Sequence, residues 1–463
     1  MGKQKSAKRD KKLIVGVDVG GTKIMVALVK PSGSILARKR ASTPRGSATA
    51  DDTVKAVVEL IHYVLAEEKV SPRELAAIGI GVPGVVDADE GYVVVTPNMN
   101  LTGMHLSKLI GEEFRVPVAL GNDVNLGTLG EKWLGAGRYA SSVVGIFVGT
   151  GVGSGIIIDN QLLRGSREAA GEIGHIVMQI GGPLCGCGNR GCLEALASRS
   201  AIERDIREAV AAGKKTILTR LVGTDLRVIR SRMLKQALQQ NDALVRKVVR
   251  KAAEVLGYAC LTVRHLLDPD VIILGGGVVE ACEEFILPVV KEIFASDALP
   301  GAHCGRGIVP SELGDDAVVL GAVAIAQKTI GREVLQAAVE GLPQYPVLEE
   351  TQFGRVTING RTYKSDLVLR GDGKIKKRNK EAAKEAYGTS HEIGPDEVKK
   401  VLKGDVGILV LGTGQQGQAA LTAEAEHLLQ QRGVTVVSVP TPMALREYNR
   451  ARGPKAAILH VTC

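Results

Sequence analysis

The chain has 463 residues, of which 45% are hydrophobic and 3% are aromatic, and its formal net charge is +9. A chain of this length can bury ample core and should contain about three domains or lobes. It has no apolar run of membrane-spanning length and no segment typical of a secretory signal, and its seven cysteines suit a reducing compartment better than a disulfide scaffold. We therefore expect a cytoplasmic protein without a membrane partner.

The positive charge is concentrated in residues 1–12 and 374–380. A basic tail is usually solvated, so residues 1–12 are predicted to be disordered. With so few aromatic residues, little of the chain can stack on single-stranded bases. We expect no specific nucleic-acid partner and at most a weak, salt-sensitive association.

The first motif is a glycine-rich turn at residues 18–23, between the apolar runs LIVGV and IMVALV, which predicts a hairpin. Its backbone N–H groups and the Thr22 hydroxyl can cradle phosphate oxygens. A strand follows and GxxxxGK[ST] is absent, so this is not a Walker P-loop. The same unit recurs at residues 149–155. Either turn alone is equally typical of a plain hairpin, but the pair predicts a duplicated nucleotide clamp.

Between these turns, VPVALGNDVN predicts a buried strand that ends in a polar turn. Ligands of open α/β folds bind beyond the carboxyl ends of the strands, so Asp123 would project from a strand end into a cleft. A carboxylate there can accept the proton of an attacking hydroxyl. The residues alone favour a plainer role, because NDVNLGTLGE begins a helix-like stretch that an aspartate would cap.

Four residues in the stretch 171–194 have the spacing of a closed metal site: His175, Cys185, Cys187 and Cys192. Three thiolates and an imidazole form the tetrahedral shell that zinc prefers. The alternative is three ordinary cysteines beside a core histidine. Farther on, VIILGGGVVE predicts a strand, the turn 275–277 and a helix start, which is weak evidence for a nucleotide site by itself.

A second unit is predicted after a helical stretch over residues 317–342 and a proline-containing linker over 336–346. Two hairpins are indicated at 359–360 and 372–373. The turn 412–417 matches GxGxxG, but no acidic residue follows the next strand, which favours a structural turn or small anion site over NAD binding. His391 and His460 are interpreted as structural histidines.

Several motifs stand in one order, and through them residues 13–330 resemble the ROK family of sugar kinases and sugar-responsive repressors, in the actin-like ATPase superfamily. These motifs are DVGGTK at 18–23, GVPG at 81–84, PN at 97–98, GNDVN at 121–125, GTGVGSG at 149–155, GEIGH at 171–175, CGCGNRGCLE at 185–194 and ILGGGV at 273–278. Residues 347–463 resemble the Mth938-like domain family through FGRVTING, YGTSH, GTGQQG, PTPMALREYN and LHVTC.

The resemblance implies an α/β protein: a two-lobed actin-like ATPase (ribonuclease H-like) fold over residues 13–335, followed by a separate small α/β Mth938-like domain over 347–463. The small lobe would span about 13–122 plus a returning C-terminal helix, and the large lobe about 123–310. That second family carries no defined reaction.

By the same resemblance, the chain would phosphorylate a hexose, with glucose as the leading acceptor, ATP as the phosphoryl donor and Mg²⁺ as the accompanying metal ion. Asp123 would be the general base, and zinc would be structural, with one nitrogen of His175 on the metal and the other facing the sugar. The implied sugar-site residues are Gly84, Asn98, Asn122, Asp123, Glu172, His175 and Glu194. The implied nucleotide-site residues are Asp18 (near magnesium), Gly20, Gly21, Thr22, Lys23 (whose role stays open), Gly149, Thr150, Gly151, Gly275, Gly276 and Gly277.

Three points stay open. Glucokinase-like members commonly carry a tryptophan after the PN pair, where this chain has Met104 and an extra polar residue, Asn100, so an N-acetylated hexosamine or another hexose is an alternative acceptor. Glu194 could instead be an exposed glutamate in a first helical turn. The other alternative is a non-catalytic sugar-sensing regulator, although Asp18 comes too early for a preceding winged helix-turn-helix. We expect a homo-oligomer, either a dimer or a tetramer.

Overall fold

The computed structural model describes residues 12–45, 48–97, 99–223, 225–226, 228–299, 307–335, 342–451 and 453–462. Most of the predicted disordered tail and of the linker lies outside these ranges. The described residues form two compact units, one built from most of residues 12–335 and the other from most of 342–462.

The first unit begins with a five-stranded sheet of order β3-β2-β1-β4-β7. β1 and β2 form the predicted hairpin, and β1, β4 and β7 run parallel. Helix α1 begins with a capping box in which the side chains of Thr49 and Asp52 each bond the other's backbone N–H. The elements are β1 (Leu13–Val19), β2 (Lys23–Val29), β3 (Ile35–Ser42), α1 (Ala50–Glu67), β4 (Leu75–Val82), β5 (Val85–Asp87), β6 (Tyr92–Val95), α2 (Leu106–Phe114) and β7 (Val118–Asn122).

The second sheet repeats this topology with the order β10-β9-β8-β11-β12. β8 and β9 form the second predicted hairpin, and β11 runs parallel to β8 and β12. The duplication expected from the two turns is therefore confirmed at the level of the sheets. The elements are α3 (Asp123–Leu134), β8 (Val143–Val148), β9 (Val152–Ile158), β10 (Gln161–Leu162), α4 (Leu193–Ala197), α5 (Arg199–Ala211), α6 (Leu218–Val222), α7 (Ser231–Gln239), α8 (Ala243–Leu267), β11 (Val271–Gly275), α9 (Gly277–Ala281), α10 (Glu283–Ala295), β12 (Ile308–Pro310) and α11 (Ala317–Thr329).

Helix α11 returns to the first sheet and also packs against α3. A Cβ added to Gly130 would overlap with the carbonyl oxygen of Ala317, and one added to Gly321 would overlap with that of Leu126. α3 contacts the second sheet as well, because the Thr128 side chain lies where a Cβ on Gly145 would be. Backbone contacts at glycines thus hold α3 and α11 close together.

The predicted helix over 317–342 ends at Thr329, and the prediction is wrong for residues 330–335. Gly331 has φ +78°, in the left-handed region that favours glycine and ends helices. The residues between 336 and 341 lie outside the described ranges.

The second unit contains a five-stranded sheet of order β17-β16-β22-β19-β21, a three-stranded sheet β13-β14-β15 and the short pair β18-β20. Both predicted hairpins are confirmed, since Asn359, Gly360 and Gly373 have positive φ at the turns. The elements are β13 (Leu348–Gln352), β14 (Arg355–Ile358), β15 (Arg361–Tyr363), β16 (Leu367–Leu369), β17 (Ile375–Lys377), α12 (Lys380–Tyr387), β18 (Glu392–Ile393), α13 (Pro395–Val401), β19 (Ile408–Thr413), β20 (Ala420–Leu421), α14 (Ala423–Gln431), β21 (Thr435–Val439), α15 (Thr441–Arg450) and β22 (Lys455–His460).

Within the ranges that the structure describes, no helix is both long enough and apolar enough to cross a membrane.

Candidate active site

Two acidic residues lie at the carboxyl ends of two parallel strands, β1 and β7, which are separated in the sheet by β4. The register places Asp18 of β1 beside Gly81 of β4, and Gly81 beside Gly121 of β7. β7 ends at Asn122, and Asp123 is the first residue of α3. A Cβ on Gly81 would lie 3.6 Å from the Cα of Asp123. The glycines on the intervening strand therefore leave room between the two carboxylates.

Burial changes the acidity of both groups. It raises the pKa of Asp123 to about 6, although the N–H of Val124 donates to this carboxylate and opposes the shift. Burial and, to a smaller extent, the charge of Asp123 together raise the pKa of Asp18 to about 7, against the opposing charge of Lys23. Two buried carboxylates with raised pKa values are suited to accepting a proton or to facing a cation.

The cap of α3 is Asn122, not Asp123. The Oδ1 of Asn122 accepts the N–H of Asn125 at 3.0 Å, and its Nδ2 donates to the carbonyl of Gly84 at 3.0 Å. Gly84 has φ +96°, and a Cβ there would overlap with the carbonyl oxygen of Val95. The capping role considered for Asp123 is thus filled by its neighbour, whose side-chain amide bonds two backbone groups.

The first glycine-rich turn is held by bonds to its backbone. Gly20 donates to the carbonyl of Lys23, and the hydroxyl of Thr43 donates to the carbonyl of Gly20. The guanidinium of Arg45 donates to the carbonyl of Gly21 at 2.6 and 3.0 Å. The Thr22 side chain is exposed at this turn.

Lys23 forms an ion pair with Asp315 at 2.5 Å, and Arg40 approaches the same carboxylate at 2.9 Å. The hydrogen bond from Lys23 lowers the pKa of Asp315. The sequence left the role of Lys23 open. In the structure Lys23 forms an ion pair with the segment that precedes α11. Asp315 was missed, because it is 292 residues from Lys23 and stands in no recognisable motif.

The second turn is held by the start of α5. The Thr150 hydroxyl accepts from Arg199 at 2.6 Å, and the Thr150 carbonyl accepts from the hydroxyl of Ser200 at 2.8 Å. Gly149 donates to the carbonyl of Gly151 at 2.9 Å. Arg199 and Ser200 were also missed. Their position just after the cysteine-rich motif was the only available signal.

The third glycine-rich turn follows β11. Gly276 has φ +85°, and a Cβ there would lie 2.6 Å from the backbone nitrogen of Val148. A Cβ on Gly275 would lie 2.8 Å from that of Ser311, whereas Gly277 has more space. Glycine at 275 and 276 is thus required by close packing at the ends of β8 and β11.

The four predicted zinc ligands come together, with all their ligand atoms within 4.8 Å of one another. The Nδ1 of His175 lies 3.6 Å from the Sγ of Cys185, and the Sγ atoms of Cys187 and Cys192 are 3.8 Å apart. A tetrahedral zinc with bonds of about 2.3 Å to sulfur and about 2.05 Å to nitrogen requires separations of about 3.8 Å (S to S) and about 3.6 Å (N to S). Both measured distances match, so the donor set and its spacing fit zinc.

His175 and Glu194 connect this cluster with the rest of the site. The Nδ1 of His175 faces the sulfurs, whereas its Nε2 lies 3.9 Å from the carboxylate of Glu172. Glu194 is in the first turn of α4, with Oε1 3.6 Å from the Sγ of Cys185 and Oε2 accepting the N–H of Val152 at 3.0 Å. A Cβ on Gly151 would overlap with this Oε2. One carboxylate therefore joins the cysteine cluster to the second glycine-rich turn.

Asn98, the remaining predicted sugar ligand, lies outside the described residues. Its neighbour Asn100 donates through Nδ2 to the carbonyl of Ala48.

In the second unit, the turn 412–417 is held by hydrogen bonds to residues of the same unit. The hydroxyl of Thr441 accepts the N–H of Gly414, and the Gly414 carbonyl accepts the N–H of Thr441. His460 is fully buried, with its Nδ1 2.5 Å from the carboxylate of Asp366, and the ring of His391 packs edge-on against it. Both arrangements are consistent with the structural roles predicted.

Comparison with known proteins agrees with this architecture. The model of the ROK family matches residues 14–329, and that of the protein of unknown function family DUF498/DUF598 matches residues 348–460. A glucokinase of Halalkalibacterium halodurans is 35% identical over 308 residues, which are 66% of this chain and 92% of the relative. A xylose repressor of Caldicellulosiruptor bescii is 30% identical over 312 residues, which are 67% of this chain and 77% of the repressor.

Among solved structures, a ROK family glucokinase from Streptomyces griseus in complex with glucose and AMPPNP is similar, with 31% identity and a TM-score of 0.60. The match covers 68% of this chain and 99% of that one. The first unit therefore has the actin-like ATPase type of fold, with two sheets of equivalent topology. The chain belongs to the ROK family, and it carries a C-terminal domain of the DUF498 type, consistent with the Mth938-like resemblance.

Proposed function

We propose that the first unit transfers the γ-phosphoryl group of ATP to a hydroxyl of a hexose. The observation that carries this proposal is the pair of buried carboxylates, Asp18 and Asp123, at the strand ends between two glycine-rich turns. The glucokinase relatives support a sugar kinase as the class of enzyme.

Asp123 would act as the general base. At neutral pH a carboxyl with a pKa of about 6 is mostly ionised, yet it is a stronger base than an ordinary aspartate. Its fixed position at the start of α3 would orient the sugar hydroxyl for in-line attack and accept its proton. The sugar would be held by Glu172, the Nε2 of His175 and the neighbouring polar groups.

The two glycine-rich turns would bind the phosphates through backbone N–H groups, and Gly275–Gly277 would pack against the nucleoside. Asp18 would hold Mg²⁺, which when bound neutralises charge on the phosphates and would favour the ionised form of this carboxylate. Zinc held by His175, Cys185, Cys187 and Cys192 would fix the ring of His175 and the position of Glu194.

Glucose is the proposed acceptor, with an N-acetylated hexosamine or another hexose as alternatives. We further propose that the protein acts in the cytoplasm as a homo-oligomer, without a specific nucleic-acid partner. The domain boundaries expected from the sequence, 13–335 and 347–463 with small and large lobes divided at 122 and 123, belong to the same proposal.

The second candidate is a sugar-sensing regulator without catalysis, favoured by the similarity to the xylose repressor. A coupled ADP-release assay over glucose, N-acetylated hexosamines, fructose and allose, on zinc-replete protein with Mg²⁺, separates the two. We expect turnover with at least one hexose and a decrease in kcat of about a hundredfold or more in Asp123→Asn, with sugar affinity largely kept. Sugar binding without turnover of any of them would favour the regulator.

A further inference from the structure

The second unit contains a groove of about 430 Å³ between the β16–β17 hairpin and helices α12 and α13. This volume is in the range of pockets that bind small molecules, about 300 to 1,000 Å³. Its floor is apolar: Val368, Ala383 and Val401 are buried there. The groove lies within one unit and uses none of the residues of the proposed kinase site.

Tyr387 forms one wall of the groove, at the C-terminal end of α12. Its ring packs on Gly394, where a Cβ would overlap with the tyrosine hydroxyl. Glycine at 394 therefore allows the ring of Tyr387 to lie beside the aliphatic floor of the groove. A ligand that covers both needs an apolar body.

The rim of the groove is cationic. Lys376 and Lys377 come from β17, an edge strand of the sheet, and Lys400 and Lys403 come from the end of α13 and the residues after it. None of these four exposed lysines forms an ion pair with a residue that the structure describes. The fifth cation, Arg370, pairs with Asp372. Its Nε is buried and bonds no described group.

The acidic residues of the lining do not neutralise this rim. Asp396 pairs with Lys399 at 3.1 Å. Glu397 accepts two bonds from the buried guanidinium of Arg378, at 2.7 and 3.2 Å. Both carboxylates are thus engaged with cations outside the lining, and the groove keeps a net positive rim above an apolar floor.

The positive rim and the apolar floor together determine which class of ligand can bind in the groove. A sugar or sugar phosphate would leave the apolar floor uncovered, and a hydrophobic cation would be repelled by the lysines. The chain's own basic residues 1–12 have the wrong sign of charge. We propose that the groove binds a small amphiphilic anion, a carboxylate or phosphate head joined to an apolar alkyl or aromatic body. The head would be held by the lysines, and the body would cover Val368, Ala383 and Tyr387.

The test uses the full-length protein and dodecanoate below its micellar concentration, titrated by calorimetry at low salt. We expect about one site per chain, with binding weakened as salt rises. The double variant Lys376→Glu/Lys400→Glu should weaken binding at least tenfold, and Ala386→Trp, which fills the groove from its exposed side, should do the same. Lys384→Glu is the matched control, because this exposed lysine is on α12 outside the lining and should leave binding unchanged.

Three outcomes would overturn the proposal. The first is an absence of saturable dodecanoate binding. The second is either equal binding of dodecyltrimethylammonium or effective competition by glucose 6-phosphate. Equal binding of the cation would show that the positive rim does not select the charge of the ligand, and competition by the sugar phosphate would show that the apolar floor does not select an apolar body. The third is recruitment to phosphatidylglycerol vesicles without binding of monomeric dodecanoate, which would replace the small ligand by a membrane surface. Thermal unfolding of each variant verifies that the fold of the second unit is intact.

Discussion

Replacing Asp123 by asparagine should make the first unit more stable while it removes activity. Burial raises the pKa of this carboxyl from 3.8 to about 6. The folded state therefore binds a proton more tightly than the unfolded state, and the stabilisation of the protonated form is lost as the pH rises through about 6. A shift of about two units corresponds to roughly 3 kcal/mol at 1.36 kcal/mol per unit.

Asparagine has a similar shape and no charge. At neutral pH the variant therefore avoids the free-energy cost of burying an ionised carboxylate. We expect Asp123→Asn to gain about 1 to 3 kcal/mol in unfolding free energy at pH 8, and little at pH 4, where the native aspartate is protonated. The single tryptophan, Trp133, is buried on the same helix and reports urea unfolding of the first unit alone. Metal and nucleotide are left out, because a bound cation would change the balance.

The matched control is Asp242→Asn. This aspartate caps α8. Burial alone would raise its pKa, but the N–H groups of Val245 and Ile217 and the hydroxyl of Thr216 outweigh burial and lower it. Its replacement should therefore destabilise the protein at pH 8. A loss of stability in Asp123→Asn at pH 8, or equal effects of the two variants, would refute the reasoning.

Three further predictions concern the metal, the second unit and the boundary between the units. The purified protein should contain about one zinc per chain, and Cys187→Ala should lose the metal and weaken sugar binding; unchanged sugar affinity in zinc-free protein would contradict the link through His175. Arg378→Ala should destabilise the second unit by about 3 to 5 kcal/mol in thermal or urea unfolding, because it breaks a largely buried ion pair and leaves the carboxylate of Glu397 without its partner; a near-native transition would show that water replaces the guanidinium. A chain that ends near residue 341 should stay soluble and phosphorylate hexose, and a folded but inactive truncation would assign the second unit a part in catalysis.

The features that the sequence predicted correctly are local in the chain. Both glycine-rich hairpins, the strand before Asp123 and the turns at 359–360 and 372–373 are confirmed, because each depends on a short apolar pattern and a residue that accepts positive φ. The proximity of His175, Cys185, Cys187 and Cys192 was also predicted from a short spacing, and these four side chains lie together.

The features that the sequence missed are pairs of residues far apart in the chain. Asp315 and Arg199 contact the glycine-rich turns, and Arg40 contacts Asp315, only after folding, and no short motif marks these three residues. The extent of α11 was wrong for a different reason, because the helical periodicity continues past Gly331 while the backbone there leaves the helix. The capping role weighed as the alternative for Asp123 belongs to Asn122, since both residue types serve this role and one position separates them.

The close glycine contacts of α11 limit which positions of this protein can be changed when it is engineered. A Cβ on Gly16, Gly79, Gly130 or Gly321 would overlap with a backbone carbonyl oxygen of a facing element, and a backbone atom, unlike a side chain, has no alternative rotamer. Mutant libraries aimed at a new acceptor sugar should therefore spare these four positions and diversify loop residues such as Met104 and Asn100. Variants that enlarge the four glycines would be removed by any screen for soluble expression before their specificity was measured.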